Sequence, residues 1–337
     1  MRRMGALGKN IALLAIALIV SLGACELVVR NFVSVRDVGP AFTIYDPFYG
    51  QSLKKSFSTR RIAPEFTMTF TTNVERLRGP ELGFLSRRPI LFLGDSFTMG
   101  YGVNDGEEFP ALVRKALDTG GPDTIPVINA GVGNNGNGRW VKFLRTEGKK
   151  YNPSLVVLQV LANDFQDNVH ERLFEVAPTG DLRELSTPQG GAQRIVQGLI
   201  ESIPGLAHSY LVGLVRQVLG SEVSVRSNAD SKISLITHDQ ALLEEQLLFR
   251  LLEEVLSLCK KEGWPVLVIV PDDTASTQLM HLKNFLSIRD ISTIVIPGKI
   301  ESPDLYYKVD GHWNASGHKF AADQVLQKIA KPDLKYW

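Results

Sequence analysis

The chain has 337 residues, 44% of them hydrophobic, enough apolar mass for one large core with a tether. Thirty-seven Lys and Arg stand against 36 Asp and Glu, so no global field is available to hold a polyanion, and nucleic acid is excluded as an expected partner. The two cysteines, Cys25 and Cys259, offer no metal-binding pair. With Cys25 inside an apolar leader, a stabilising disulfide between them is not expected either.

Residues 1–10 carry Arg2, Arg3 and Lys9 and no acid, and the run IALLAIALIVSLGAC over 11–25 carries no charge. That pattern reads as an export signal or membrane segment, because a buried amphipathic helix would show polar positions every three or four residues and only Ser21 interrupts this run. Fifteen helical residues reach about 22 Å, short of a ~30 Å hydrocarbon core. The span therefore has to recruit Gly5–Leu7 and Leu27–Val29, with Lys9 and Glu26 reaching to the interface. Leu22-Gly23-Ala24-Cys25 also resembles a bacterial lipobox, in which Cys25 would be lipidated and become the mature N-terminus. An uncleaved anchor is preferred. Both readings put the bulk of the chain outside the cytoplasm, on a bacterial inner membrane.

Residues 35–88 read as an N-terminal elaboration, with turn formers at Asp46-Pro47 and Arg78-Gly79-Pro80 and an alternating strand over Phe66–Phe70. From residue 89 short apolar runs alternate with helical periodicity, the signature of a parallel α/β sheet. Strands are expected at Ile90–Leu93, Pro126–Ile128, Leu155–Val160, Val266–Val270 and Ile294–Ile296. Helices are expected from Phe109 to Leu117, near Leu242–Leu258 and over Ala315–Ile329. Residues 170–237 interrupt this alternation, with a helical stretch near Ile195–Leu219. An insertion of that length reads as a cap beside the site or as a tolerated surface elaboration. The expected division is thus 1–34, 35–88, and 89–337 with the insertion inside it.

Gly94-Asp95-Ser96 follows the first core strand directly, which displays a serine at the carboxyl edge of the sheet, where open α/β sheets bind ligands. A plain helix-capping serine would give the same tripeptide. The order of the other polar blocks changes the balance. Asn129-Ala130-Gly131-Val132-Gly133-Asn134 follows the next strand, Asn163-Asp164 the one after, and Asp310-Gly311-His312 precedes the last helix, so four clusters fall at one edge.

In that order the chain resembles the SGNH/GDSL hydrolases, over roughly Tyr45 to Ala330. The resemblance implies a flavodoxin-like three-layer α/β/α fold with a central parallel sheet. It also implies Ser96 as nucleophile, His312 as base and Asp310 as the orienting acid, with no metal and no cofactor. The oxyanion would meet the Ser96 N–H, a backbone N–H near Gly133 or Asn134, and the Asn163 side chain. Two positions depart from the family pattern. Asn134 stands at the oxyanion glycine, a tolerable change if the backbone there is left-handed, and Leu161 replaces the glycine of the G-x-N-D block.

The Asp164, Asp167 and Asn168 group reads as a hydrogen-bonded loop before a metal cluster. A metal site from Asp310, His312 and His318 would leave Ser96 without a purpose. Trp313 either lines the pocket or packs. Hydrolysis of an ester, with the O-acetyl groups of an envelope glycan as candidate substrate, is placed ahead of O-acyl transfer by the same residues. A non-enzymatic tethered binding module is third. Small-molecule or glycan esters and the membrane are the expected partners.

Overall fold

The computed structural model describes residues 2–85, 87–186, 198–203, 205–218, 238–272 and 276–330. By its contacts the chain divides into two compact units, one of Met1–Pro40, Arg61–Pro64 and Ile195–Lys232, the other of Ala41–Arg60, Glu65–Arg194 and Ile233–Trp337.

In the first unit a single helix, α1 (Arg2–Phe32), runs through the leader. Gly8–Phe32, 25 residues, is long and apolar enough to cross a membrane, which removes the shortfall expected of 11–25 alone. Glu26 does more than reach for the interface. Its carboxylate accepts the Ser209 hydroxyl at 2.6 Å and the Tyr210 and Leu211 N–H groups at 2.9 Å, capping a helix over 210–218. Val29, Val35 and Val38 then pack with Tyr210, Leu211 and Leu214. The helical stretch expected over Ile195–Leu219 is broken into helices at 198–202 and 210–218 with a 3₁₀ turn, Leu206–His208, between them. Residues 195–197, 204 and 219 lie outside the described residues.

The second unit carries the sheet. Two antiparallel strands, β1 (Thr43–Asp46) and β2 (Gly50–Leu53), and a pair β3 (Ser58–Ile62) with β4 (Thr67–Thr71) precede it. The strands β5 (Ile90–Leu93), β6 (Val127–Asn129), β7 (Leu155–Gln159), β10 (Val266–Asp272) and β11 (Ser292–Pro297) form one parallel sheet in the order β11-β10-β7-β5-β6. A hairpin of β8 (Phe174–Val176) and β9 (Leu182–Glu184) stands apart. Counting sheet strands along the chain, this is the 2-1-3-4-5 order of doubly wound flavodoxin-like folds. Its winding reverses between β5 and β7, so the loops leaving those strands diverge and open a crevice.

Four of the five sheet strands feed two cores, because successive side chains leave opposite faces; the edge strand β11 feeds one, through Ile294 and Ile296, and leaves Val295 exposed. Leu91, Leu93, Val156, Leu158, Val268 and Val270 join one cluster, and Ile90, Phe92, Leu155, Val157, Leu267 and Ile269 the other. The first is covered by α4 (Gly138–Phe143), α6 (Asp164–Glu171), α7 (His238–Glu262) and α8 (Thr277–Ile288). The second is covered by α3 (Phe109–Ala116) and α9 (Ala315–Ile329). Burial on both faces is why these strands read as continuous apolar runs. Cys259 lies in the first core, where burial pushes its thiol up to about 12, and Cys25 is exposed on α1.

Arg78, expected to mark a turn, is instead a fully buried tie between the elaboration and the sheet. Its five N–H donors all find acceptors: Asp105 through Nε, the Met99 and Gly100 carbonyls through Nη1, and the Thr69 and Val103 carbonyls through Nη2. Phe70 lies beneath the guanidinium at 4.8 Å. Truncation leaves those carbonyls and the buried Glu108 uncompensated. Arg78→Ala should therefore lower the unfolding free energy by about 3–5 kcal/mol, read from urea denaturation.

Candidate active site

The loop after β5 is built by sterics. A β-carbon at Gly94 would stand 2.1 Å from Thr98 Oγ1, so only glycine lets the chain turn here. Asp95 caps α2 (Ser96–Met99) by accepting the Phe97 N–H at 3.0 Å, and Gly100 ends the helix at φ +87°. Ser96 is thus the first helical residue and not the cap, which removes the capping explanation for its presence. The helix has four residues, so its macrodipole adds little at Ser96. Thr98 donates to Gln159 Oε1 at 2.5 Å, which ties α2 to the end of β7.

Across the cleft, His312 Nε2 stands 2.8 Å from Ser96 Oγ, and His312 Nδ1 stands 2.5 Å from Asp310 Oδ1. Ser96 also lies 3.4 Å from Asp95 Oδ2, the weaker of its two contacts. The rings of Phe97 and Tyr101 flank His312 at 4.8 Å and 5.0 Å, which limits rotation of the imidazole. Asp310 reaches the histidine through a tight turn: Gly311 is left-handed at φ +88°, and the His312 N–H turns back onto Asp310 Oδ1 at 3.4 Å. A turn, not strand alternation, brings the two side chains together.

Gly133 lies against the serine, since a β-carbon there would be 3.4 Å from Ser96 Cβ. Its carbonyl accepts the Gln51 amide at 3.3 Å. Asn134 is exposed and left-handed at φ +54°, the conformation the substitution for glycine requires. Asn163 stands at the N-terminus of α6, but its Nδ2 donates to Asp95 Oδ2 at 3.0 Å and Asp167 Oδ2 at 2.8 Å. Both hydrogens of that amide are committed to carboxylates in this state. Burial pushes the Asp95 carboxyl up against the Phe97 and Asn163 bonds. Asp164 is pushed well up by burial and then by Asp95; its Oδ2 accepts the Leu161 N–H at 2.9 Å. Asn137 joins Asn168 at 2.8 Å to Asp164 at 3.4 Å, and Asp167 accepts from Asn163, so all three residues are engaged in hydrogen bonds; no metal-binding cluster occurs among the described residues.

Trp313 does both things asked of it. It is buried among Phe97, Phe109 and His318, and it walls a cavity of about 250 Å³ with Phe97, Asn163, Leu279, Ile300 and Leu161. Leu161, the departure from the family glycine, is therefore pocket wall.

The chain belongs to the GDSL-like lipase/acylhydrolase family. The family's model matches residues 90–325, so the likeness ends short of the Tyr45–Arg88 stretch that the sequence motifs had included. It is accordingly an ester-hydrolysing enzyme, and the non-enzymatic binding reading falls away. Solved structures similar to it include a psychrotrophic esterase, EstA, from Pseudoalteromonas sp. (13% identity, 72% of this chain and 97% of that one, TM-score 0.42). They also include a catalytic mutant of Axe2, an acetylxylan esterase from Geobacillus stearothermophilus (12% identity, 75% and 98%, TM-score 0.39). No curated protein matches significantly.

His318, considered as a metal ligand, is a core residue of α9, whose cap is Asn314. Its Nδ1 accepts the Phe109 N–H at 3.3 Å, and burial, then the charges of Arg78 and His312, hold its pKa down at about 3. Unfolded, the same imidazole titrates near ~6.5. Between those values the unfolded chain binds a proton the folded one refuses, so the stability due to neutral His318 is complete above ~6.5 and is lost as pH falls toward 3. The difference in unfolding free energy between wild type and His318→Gln should shrink by ~1.4 kcal/mol per pH unit from about pH 6 to 4, measured by urea titration. A difference independent of pH would mean that His318 protonates freely in the fold.

Proposed function

We propose that this enzyme is a serine esterase in which Ser96, His312 and Asp310 are nucleophile, base and orienting acid. The observation that carries this reading is the unbroken run Ser96 Oγ, His312 Nε2, His312 Nδ1, Asp310 Oδ1, with gaps of 2.8 Å and 2.5 Å. Ser96 attacks the acyl carbonyl while His312 takes its proton at Nε2, and Asp310 holds the Nδ1–H tautomer and steadies the imidazolium. Collapse of the tetrahedral oxyanion breaks the bond to the alcohol, to which His312 returns the proton. Water then attacks acyl-Ser96 by the same route in reverse.

The oxyanion meets the Ser96 N–H and a backbone N–H at Gly133 or Asn134. Asn163 joins them by exchanging its bond to Asp167 for one to the developing charge. The apolar cavity behind Phe97 and Trp313 receives the uncharged end of the ester. Reading α1, long and apolar enough to cross a membrane, as an anchor with its basic residues on the cytoplasmic side supports an ester of the cell envelope as substrate, with O-acetylated glycan the leading candidate. Transfer of the same acyl group to a sugar hydroxyl differs only in the second nucleophile.

Ser96→Ala and His312→Ala should each lower hydrolysis of a short activated ester by ~10³-fold or more while the protein stays folded by circular dichroism. Wild-type rates in Ser96→Ala would remove the triad. Wild-type enzyme given an acetyl-ester donor with and without oligosaccharide should release acetate in both cases, followed by mass spectrometry. Acetylated sugar with acetate near background would make it a transferase.

The intact chain should leave membranes in detergent but not in high salt, since apolar burial holds it. Cys25→Ser should change neither its mass by a lipid increment nor its retention; release on that substitution would establish the lipoprotein.

A further inference from the structure

Glu65 sits in the turn before β4, outside residues 90–325 that define the family match. Its two carboxylate oxygens take three consecutive backbone N–H groups from the loop that bears the acid of the triad. Oε1 accepts Lys308 N–H at 2.8 Å, and Oε2 accepts Val309 N–H at 2.8 Å and Asp310 N–H at 2.7 Å. Convergent backbone N–H groups of this kind form an anion-binding concavity, and a carboxylate in one makes strong, directional bonds. Partial desolvation pushes the Glu65 carboxyl up, but the three bonds together hold it below the usual carboxylate range, against the repulsion of Asp310.

The neighbouring contacts run in the same direction. Phe66 is buried, with its ring 4.9 Å from Tyr307 and 5.4 Å from Tyr101, the ring that flanks His312. Tyr307 donates its N–H to the His312 carbonyl at 2.9 Å and its hydroxyl to the Gly102 carbonyl at 2.8 Å. The loop from 307 to 312 is therefore held at its backbone on both sides of Asp310. Gly311 in that loop is left-handed at φ +88°, and Asp310 itself lies in a turn outside any helix or strand.

We propose that Glu65 is a positioning residue: by clamping the 308–310 backbone it fixes where the Asp310 carboxylate meets His312 Nδ1, and so sets turnover without taking part in substrate binding. The N-terminal elaboration is then a working part of the active site. The inference rests on the triad reading and makes Glu65 act through Asp310 alone.

The test is a double-mutant cycle on the full-length chain in detergent, with p-nitrophenyl acetate as substrate. Glu65→Ala should lower kcat by ~10–100-fold with KM within about twofold of wild type, the loss expected when a catalytic group is displaced by about an ångström. Glu65→Gln, which keeps one oxygen able to accept the Val309 and Asp310 N–H groups, should recover part of that loss. In an Asp310→Ala background Glu65→Ala should cost nothing further, because residues acting as one unit are not additive. If Glu65→Ala fails to fold, Glu65→Gln carries the same cycle.

An unchanged kcat, a raised KM at unchanged kcat, or an equal loss with and without Asp310 would each overturn the proposal. Wild-type turnover in Asp310→Ala alone would instead overturn the triad on which it rests.

Discussion

Ser96 and His312 are 216 positions apart in the chain and 2.8 Å apart in the fold, and the proposed chemistry depends on that one hydrogen bond. A serine hydroxyl is a weak nucleophile unless a neutral imidazole can take its proton, so the chemistry tolerates little error in this distance. The parallel sheet makes the contact affordable in entropy. The cost of closing a loop grows only with the logarithm of its length, and every sheet strand delivers its carboxyl end to the same edge. Because β5 and β7 are neighbours whose connections leave in opposite directions, the loops bearing Ser96 and Asn163 face each other across the crevice there.

The site collects carboxylates at a density that has to be balanced. Asp95, Asp164 and Asp167 surround Asn163, and burial pushes the carboxyls of all three upward. Backbone and amide donors offset part of that cost: Phe97 and Asn163 for Asp95, Leu161 and Asn137 for Asp164. The arrangement ties the loop after β7 to Asp95 and Asn137. Both hydrogens of the Asn163 amide are meanwhile held by Asp95 and Asp167.

The region ahead of β5 lies outside the residues that match the family. Here Arg78, Gln51 and Glu65, all from that region, hold the 99–103 loop, the Gly133 carbonyl and the 308–310 backbone. Each is a side chain bonded to backbone, which fixes loops without asking the loops for any particular residue.

That difference explains which features were legible in the chain itself. Apolar runs such as Ile90–Leu93 and Leu155–Gln159 announce strands buried on both faces, and order alone places Ser96, Asn163 and His312 at one edge, because strand-end loops of a parallel sheet cannot go elsewhere. The left-handed backbone at Asn134 follows from the conformational tolerance of asparagine. Glu65 and Arg78 had no such signature, since a charged side chain that binds carbonyls or N–H groups follows no period and needs no partner residue type. Nor did the capping of 210–218 by Glu26 or the commitment of Asn163 to Asp95. Those depend on distances between segments remote in sequence. Local pattern determines which face of an element is apolar and which residue types stand at its ends; only tertiary packing decides which backbone groups are left within reach of a given side chain.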